Sequence, residues 1–204
     1  MRDDATSISN LLANTSIDAA SFLDIPFVFD LIVRGSMDGT FTDSLISSGG
    51  YVTILLSLFA SLHFFSRLKF FEWRGNKQAN HTCNELLIFS DQTEAIGFLQ
   101  ITSCPSKDGS VVKFINKCAI KYELRRQGYG RNMMNLFLKA QPIDTKLAAY
   151  CNPYAKGMQH IFRQMHFRRT SIGHGLNLYT LGNFDAEEFD AVAQSHSRSG
   201  HDKR

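Results

Sequence analysis

The sequence predicts an α+β fold, and three observations carry that prediction. Of 204 residues, 44% are hydrophobic and 20% charged, and 17 are Phe, which is enough apolar surface to close one sizeable core. Three consecutive β-patterned runs between residues 85 and 120 are separated by short polar turns and read as a meander. Helical patterns flank that meander on both sides in the chain. The expected order is a short β stretch, two helices, three strands, a helix, a strand, a helix and a final β region.

Taken from the start, residues 1–14 carry Leu11 and Leu12 without a strong period and read as an N-terminal extension. Ser16 to Ala20 is β-like. Ser21 with Asp24 three residues on resembles a capping box, and it opens the periodic stretch Phe27, Leu31, Ile32, which predicts a helix from about Leu23 to Ser36. Gly35 and Gly39 bracket its end. Thr42 and Asp43 restart a helical pattern, Gly49 and Gly50 interrupt it, and an apolar helix then runs to about Leu68. Its run Val52 to Phe65 falls short of the roughly 20 apolar residues of a membrane span and contains Ser57, Ser61 and His63, so it predicts a buried helix.

The meander follows as ELLIF, AIGFLQITS and VVKFINKCAI, with turns at Ser90 to Thr93 and Lys107 to Gly109. A glycine-containing loop at 125–130 leads into an amphipathic helix, Asn132 to Ala140. After it come the strand KLAAYC, a helix from Tyr154 to Met165, and a β region from Phe167 to Leu181. From residue 185 an acidic helix-capable piece gives way to SHSRSGHDKR, which has no apolar face to offset the entropy of ordering. One domain is therefore expected over residues 15–184, with an acidic segment and disordered polar tail at 185–204.

Charge and cysteine usage narrow the function classes. With 22 Lys+Arg against 19 Asp+Glu spread along the chain, net charge is +3, and no nucleic-acid partner is expected. Cys83, Cys104, Cys118 and Cys151 show no paired spacing, which suits a reducing compartment. The N-terminal Met-Arg-Asp-Asp lacks the layout of a secretory signal, so a cytoplasmic location without membrane association is expected. Among seven histidines, His160 and His166 are six apart and His174 lies in another element, so no metal is expected.

The segment richest in chemistry runs from Ile120 through Tyr122, Arg125, Arg126, Gln127, Gly128, Tyr129 and Gly130, where a strand ends and a helix begins. A helix start exposes unpaired N–H groups and the positive end of the dipole, and glycines let backbone approach a phosphate. Gly128 and Gly130 are the candidate approach points; an ordinary strand-to-helix connection is the plainer account of the pair alone. No G-x-x-x-x-G-K-[ST] is present, and no third glycine follows at the dinucleotide spacing.

This segment resembles the acetyl-CoA motif of the GNAT superfamily of N-acetyltransferases, V-x-P-x-x-R-x-x-G-x-G/A. Ile120, Arg125, Gly128 and Gly130 fit it, while Tyr122 stands in place of the proline. Ile17 to Ile25 is similar to the family's opening strand and first helix, Ile96-Gly97-Phe98 to its third strand, and Met165-His166-Phe167 to its x-Gly-Phe, with His166 where glycine is usual. The resemblance covers about residues 15–184. It implies a three-layer fold with a mixed, largely antiparallel sheet split between strands four and five and flanked by helices.

The resemblance also implies a cosubstrate, acetyl-CoA, with its pantetheine arm in the split. A bulge near Ala119 and Ile120 would free N–H groups for the arm and the acetyl carbonyl, stabilising an oxyanion. The N–H groups of Gln127 to Arg131 would take the pyrophosphate. Arg125 and Arg126 are either phosphate contacts or solvated charges at the helix start. Asn152 is a further candidate cofactor contact.

Acyl transfer to an amine needs a proton acceptor and, for the thiolate, a proton donor. Strand four reads Val112, Phe114, Asn116, Cys118 on one face and Val111, Lys113, Ile115, Lys117 on the other, without Asp or Glu. Asn116 is a candidate to position a water, or a satisfied polar residue at a strand edge. Lys113, Lys117 and Lys121 recur every fourth residue and are expected on one face, as a basic border or a solvated surface. The family's tyrosine, five residues before the closing Phe, is Phe162 here; Tyr154 is the nearest substitute as general acid, or packs at a helix start. Cys151 and His160 read as a small buried strand residue and a solvated helix residue.

The expected activity is acetyl transfer from acetyl-CoA to a small-molecule or peptide primary amine in a ternary complex. The alternative is a catalytically weak acyl-CoA-binding or protein-interaction module of the same fold. A toxin acetylating aminoacyl-tRNA would predict a basic surface that +3 does not promise. The sequence leaves the acceptor and a possible homodimer open.

Overall fold

The computed structural model describes residues 14–39, 41, 48–62, 83–106, 110–171 and 177–184. The N-terminal extension before residue 14, the helical restart expected at Thr42 and Asp43, residues 63–68 of the expected apolar helix, the turn at Lys107 to Gly109, His174 and the tail from 185 lie outside them.

Strand β1 (Thr15–Ala19) is followed by a short 3-10 turn, Phe22–Asp24, in which the Ser21 N–H donates to Asp24 Oδ2 at 2.7 Å. That contact is the capping arrangement the sequence predicts. Pro26, which lacks an N–H to lose, opens helix α1 (Ile25–Met37). Helix α2 (Ser48–Ala60), the apolar helix, contains Gly49 and Gly50 in its first turn. Strands β2 (Cys83–Asp91), β3 (Glu94–Pro105) and β4 (Val111–Ile120) form the meander. Helix α3 (Tyr129–Lys139), strand β5 (Lys146–Cys151), helix α4 (Lys156–Gln164), and strands β6 (Arg168–Ser171) and β7 (Asn177–Leu181) complete the chain, resolving the expected final β region into two strands.

The seven strands form one mixed sheet in the order β1-β2-β3-β4-β5-β7-β6, antiparallel throughout except for the parallel β4–β5 pair. Helices cover both faces. On one, Val28, Leu31 and Ile32 of α1 and Ile54 and Leu58 of α2 pack on Leu86, Ile88 and Phe98. On the other, Met133, Met134 and Phe137 of α3 and Phe162 of α4 pack on Leu99, Ile101, Ile115 and Ala149. Three layers result, as an amphipathic helix stripe and the alternating faces of strands require.

Two irregularities shape the centre of the sheet. The β4–β5 pairing runs from Val112 opposite Lys146 only to Ile115 opposite Ala149. Beyond it, residues 117–120 keep their β3 partners but leave β5, so the sheet opens into a split. Between β3 and β4 the register passes from Gln100 opposite Lys117 to Ile101 opposite Ile115, which makes Asn116 an extra residue in a β-bulge. The bulge expected near Ala119 and Ile120 therefore lies at Asn116; Ala119 and Ile120 pair regularly with Phe98 and Gly97.

One inserted residue reverses the alternation of everything after it. Phe114 and Lys117, not Ile115 and Lys117, share the α1/α2 face, and Cys118 joins Ile115 on the α3/α4 face. The two faces expected for strand four are corrected accordingly. Lys113, Lys117 and Lys121 do not form one row: Lys113 pairs with Glu85 at 3.7 Å, Lys121 pairs with Glu94 and lies over the Phe27 ring, and Lys117 points to Gln100.

The end of α4 explains His166. The Phe167 N–H reaches Phe162 O at 3.0 Å and the His166 N–H reaches Arg163 O at 3.1 Å, with the Phe162 and Phe167 rings 4.8 Å apart. This is a Schellman termination, whose pivot must be left-handed, and His166 adopts φ 62° there. Glycine would suit that position for the same reason.

Candidate functional site

The split between β4 and β5 is the candidate site. A cavity of ≈ 70 Å³ follows it, lined among others by Asn116, Lys117, Tyr150, Asn152, Phe162 and Phe41. On the β4 side Asn116 is exposed, and its Nδ2 donates to Thr102 Oγ1 at 2.6 Å, the middle of a cross-strand row that ends at Asn84 Oδ1. One of its two amide hydrogens is thus engaged, and its carbonyl oxygen takes no part in that bond. Lys117 lies next along the strand.

On the β5 side, burial pushes the Tyr150 phenol up to about 12 and the Cys151 thiol up to about 11. Cys118, facing Cys151 across the split, is pushed up to about 12 by burial and then by its neighbour's charge. These thiols stay protonated at neutral pH and are inert as nucleophiles. Phe162 is fully buried between Phe167 and Tyr179, whose ring centroid is 5.1 Å away. Tyr154 is 77% exposed beyond the end of β5; its N–H donates to Asn152 Oδ1 at 3.0 Å, and its ring does not line the cavity. His160 is an exposed residue of α4.

Below the split the chain leaves β4, makes a 3-10 turn at Tyr122–Leu124 and enters α3 through Gly128. Arg126 at φ 65° and Gly128 at φ 89° bend this loop through the left-handed region twice. The Gln127 side chain donates back to Glu123 O at 2.8 Å and closes it. The first helical bond of α3 joins the Asn132 N–H to Gly128 O, so the N–H groups of Tyr129, Gly130 and Arg131 have no acceptor within the helix. They form an anion-accepting end with the dipole behind it. Tyr129 is buried and its hydroxyl donates to Asp91 at 3.1 Å; Arg126, Gln127 and Arg131 are exposed. Gly130 serves packing as well, since a Cβ there would lie 3.1 Å from Ile161 of α4.

The turn after α1 bridges the two rims. Arg125 Nη1 donates to Asp38 Oδ2 at 2.8 Å while its Nε reaches Ile120 O at 3.4 Å, and its guanidinium lies 5.1 Å from the Tyr122 ring. Asn152 Nδ2 donates to Gly39 O at 3.3 Å. Beside this turn, a second hollow of ≈ 320 Å³ is bounded by α1 and the start of the loop, with Asp30, Arg34, Lys121 and Glu123 on its walls. Among the described residues no three His, Cys, Asp or Glu side chains group to hold a metal, and no helix is long and apolar enough to cross a membrane.

A split between a parallel strand pair, ending over the N-terminus of the next helix, decides the fold. This is the GNAT acetyltransferase fold. The chain is similar to an aminoglycoside N(6')acetyltransferase from Legionella pneumophila at TM-score 0.56 and 12% identity, over 82% of this chain and 90% of that one. It is similar to a GNAT-family acetyltransferase from Streptococcus agalactiae at TM-score 0.57 and 11% identity, over 85% and 98%. A third match is yncA from Salmonella typhimurium, a structure with its cofactor acetyl-CoA, at TM-score 0.55 and 12% identity, over 85% and 96%. No family model and no curated protein matches the sequence. At such identities the likeness establishes the GNAT fold.

Within that fold the structure gathers Asn116, Ala119 and Ile120 along the unpaired stretch of β4, and Gln127 to Arg131 at the start of α3. Arg125 and Asn152 are engaged with the turn after α1, and Tyr154 stands outside the cavity. Sequence reasoning passed over Tyr150, which reads as one more member of an apolar strand, and Asp38 and Phe41, whose approach to the split depends on contacts far along the chain.

Proposed function

We propose that this chain is an acetyl-CoA-dependent N-acetyltransferase that acetylates a primary amine directly in a ternary complex. The observation that carries the reading is the coincidence of the β4–β5 split with the free N–H groups of α3 below it, joined by a loop that Gly128 turns through φ 89°. The residues present fit acetyl-CoA. N–H groups of residues 116–120 that do not face β3 have no strand partner and suit the amide-bearing arm and the acetyl carbonyl, the electrostatic stabilisation that dominates acyl transfer. The N–H groups of Gln127 to Arg131 suit the diphosphate, with Arg126 and Arg131 free to follow it in solution.

The acceptor amine must lose a proton, and Asn116, whose carbonyl oxygen is unused by Thr102, holds a water for that step. We assign the proton for the departing thiolate to Tyr154, a role that requires its exposed ring to turn over the rim from outside the cavity. A phenol held neutral, such as Tyr150, is the competing donor.

Calorimetry with acetyl-CoA, followed by release of CoA thiol across a panel of amines, tests the reading. Binding with turnover is the expected result. Binding without turnover with any amine favours a CoA-binding module of the same fold, and absence of binding removes the cofactor. With an acceptor in hand, Tyr154→Phe is expected to lower kcat by roughly 10²-fold at unchanged acetyl-CoA affinity; a wild-type kcat moves the role to Tyr150 or water.

A further inference from the structure

Lys117 is an amine in the split that the reaction above leaves without a task. It stands two residues past the last β4–β5 pair, directly after the bulge, and it lines the cavity. The bulge alone puts it on the α1/α2 face; regular alternation would have turned it toward α3.

Its partners set it apart from the other lysines of this stretch. Lys113 and Lys121 are paired with Glu85 and Glu94. Lys117 has no carboxylate among the described residues, and its Nζ donates to Gln100 Oε1 at 3.3 Å. Gln100 is buried, and its Nε2 donates to Ser57 Oγ of α2 and to Ser61 Oγ just past the end of α2, each at 2.9 Å. Those two bonds fix the amide so that its oxygen faces the lysine. A neutral amide oxygen accepts a hydrogen bond from an amine but cannot balance an ammonium charge withdrawn from water. Burial accordingly lowers the pKa of Lys117 and enlarges the fraction that carries a lone pair.

We propose that Lys117 is an acetyl acceptor within its own chain, modified by the acetyl-CoA bound in the split. This rests on the cofactor reading above. The Nζ lone pair adds to the thioester carbonyl carbon and the C–N bond forms. The C–S bond breaks, the sulfur leaves with its electron pair, and the proton lost by the amine balances it, giving Nε-acetyllysine and CoA thiol. The product amide is no longer an acyl donor, so the modification accumulates once per chain and is not an intermediate of turnover. Its effect is to put a neutral, longer side chain into the split and to remove the amine that Gln100 holds.

The test incubates the full chain with acetyl-CoA alone, maps acetylation by peptide mass spectrometry over time, and measures acetyl-CoA binding by calorimetry in parallel. Lys117 is expected to acquire its acetyl group at least about tenfold faster than Lys113 or Lys121, as held reactants outpace collisional ones, at a rate independent of protein concentration. Lys117→Arg is expected to lose the fast increment. Binding of acetyl-CoA with Lys117 unmodified, or with the three lysines modified equally, overturns this inference and leaves the cofactor reading standing. Absence of acetyl-CoA binding overturns both.

Discussion

Gly128→Ala probes the loop that seats the cofactor, and its cost follows from one angle. At φ 89° and ψ −12°, Gly128 caps α3 from the left-handed region. A Cβ there costs about 1–2 kcal/mol, and a stiffer unfolded chain returns about 0.5–1 kcal/mol of it. The net loss is about 1 kcal/mol, which lowers Tm by about 2–4 °C for a chain of this size. Gly128→Glu carries the same strain, so it is not as mild on the fold as a loop position suggests, and it adds a carboxylate where the α3 dipole favours an incoming anion. Comparing the two variants separates strain from charge. Thermal scans with and without acetyl-CoA are the assay: a ligand at about 100 times its Kd adds about 2.7 kcal/mol to the folded state. Gly128→Ala is expected to melt lower yet keep much of that ligand-dependent rise, whereas Gly128→Glu is expected to lose it. A wild-type Tm for Gly128→Ala would refute the strained turn, and an undiminished rise in Gly128→Glu would refute the diphosphate seat.

Two further outcomes concern the scaffold. His166→Gly relieves a left-handed residue at the Schellman pivot and is expected to raise stability by about 0.5–1 kcal/mol, while His166→Ala brings no gain; equal or lower melting of His166→Gly would count against the pivot. The buried thiols predict alkaline sensitivity. Cys118 and Cys151 are raised from 9.0 to about 12 and about 11, so the unfolded thiols ionise first, the folded state holds more protons, and stability is flat below pH 9 and falls above it. Each group contributes a slope of about 1.4 kcal/mol per pH unit in that window, opposed by Lys117, whose lowered pKa adds stability as pH climbs toward 10.5. Urea unfolding at about pH 8 and about pH 10.5 measures the difference, and Cys118→Val is expected to shrink it. A stability unchanged between those pH values contradicts the burial of the pair.

What the sequence made legible is what short-range physics dictates. The Ser21 and Asp24 pair, the apolar stripes of α1, α3 and α4, and the glycine at the start of α3 each act over a turn or two of chain, so each could be read locally. The bulge at Asn116 could not, because β3 and β4 alternate acceptably when read singly and the extra residue exists only in their register. Missing it misplaced Lys117 by a whole face. The same holds for the rims of the split, where Arg125 meets Asp38 across 87 residues and Asn152 meets Gly39 across 113. These contacts change what the motif residues do. Arg125 matches the family pattern by position, yet its charge is already answered by Asp38, and each side chain of that pair is about a third exposed. An ion pair so placed is worth at most about 1 kcal/mol, which a phosphate can match. Any contact of Arg125 with cofactor is therefore an exchange that gives up its ion pair with Asp38, while Asn152 keeps its bond from β5 to Gly39. The turn after α1 is thus tied to both walls of the split, and the motif arginine supplies the tie on the β4 side.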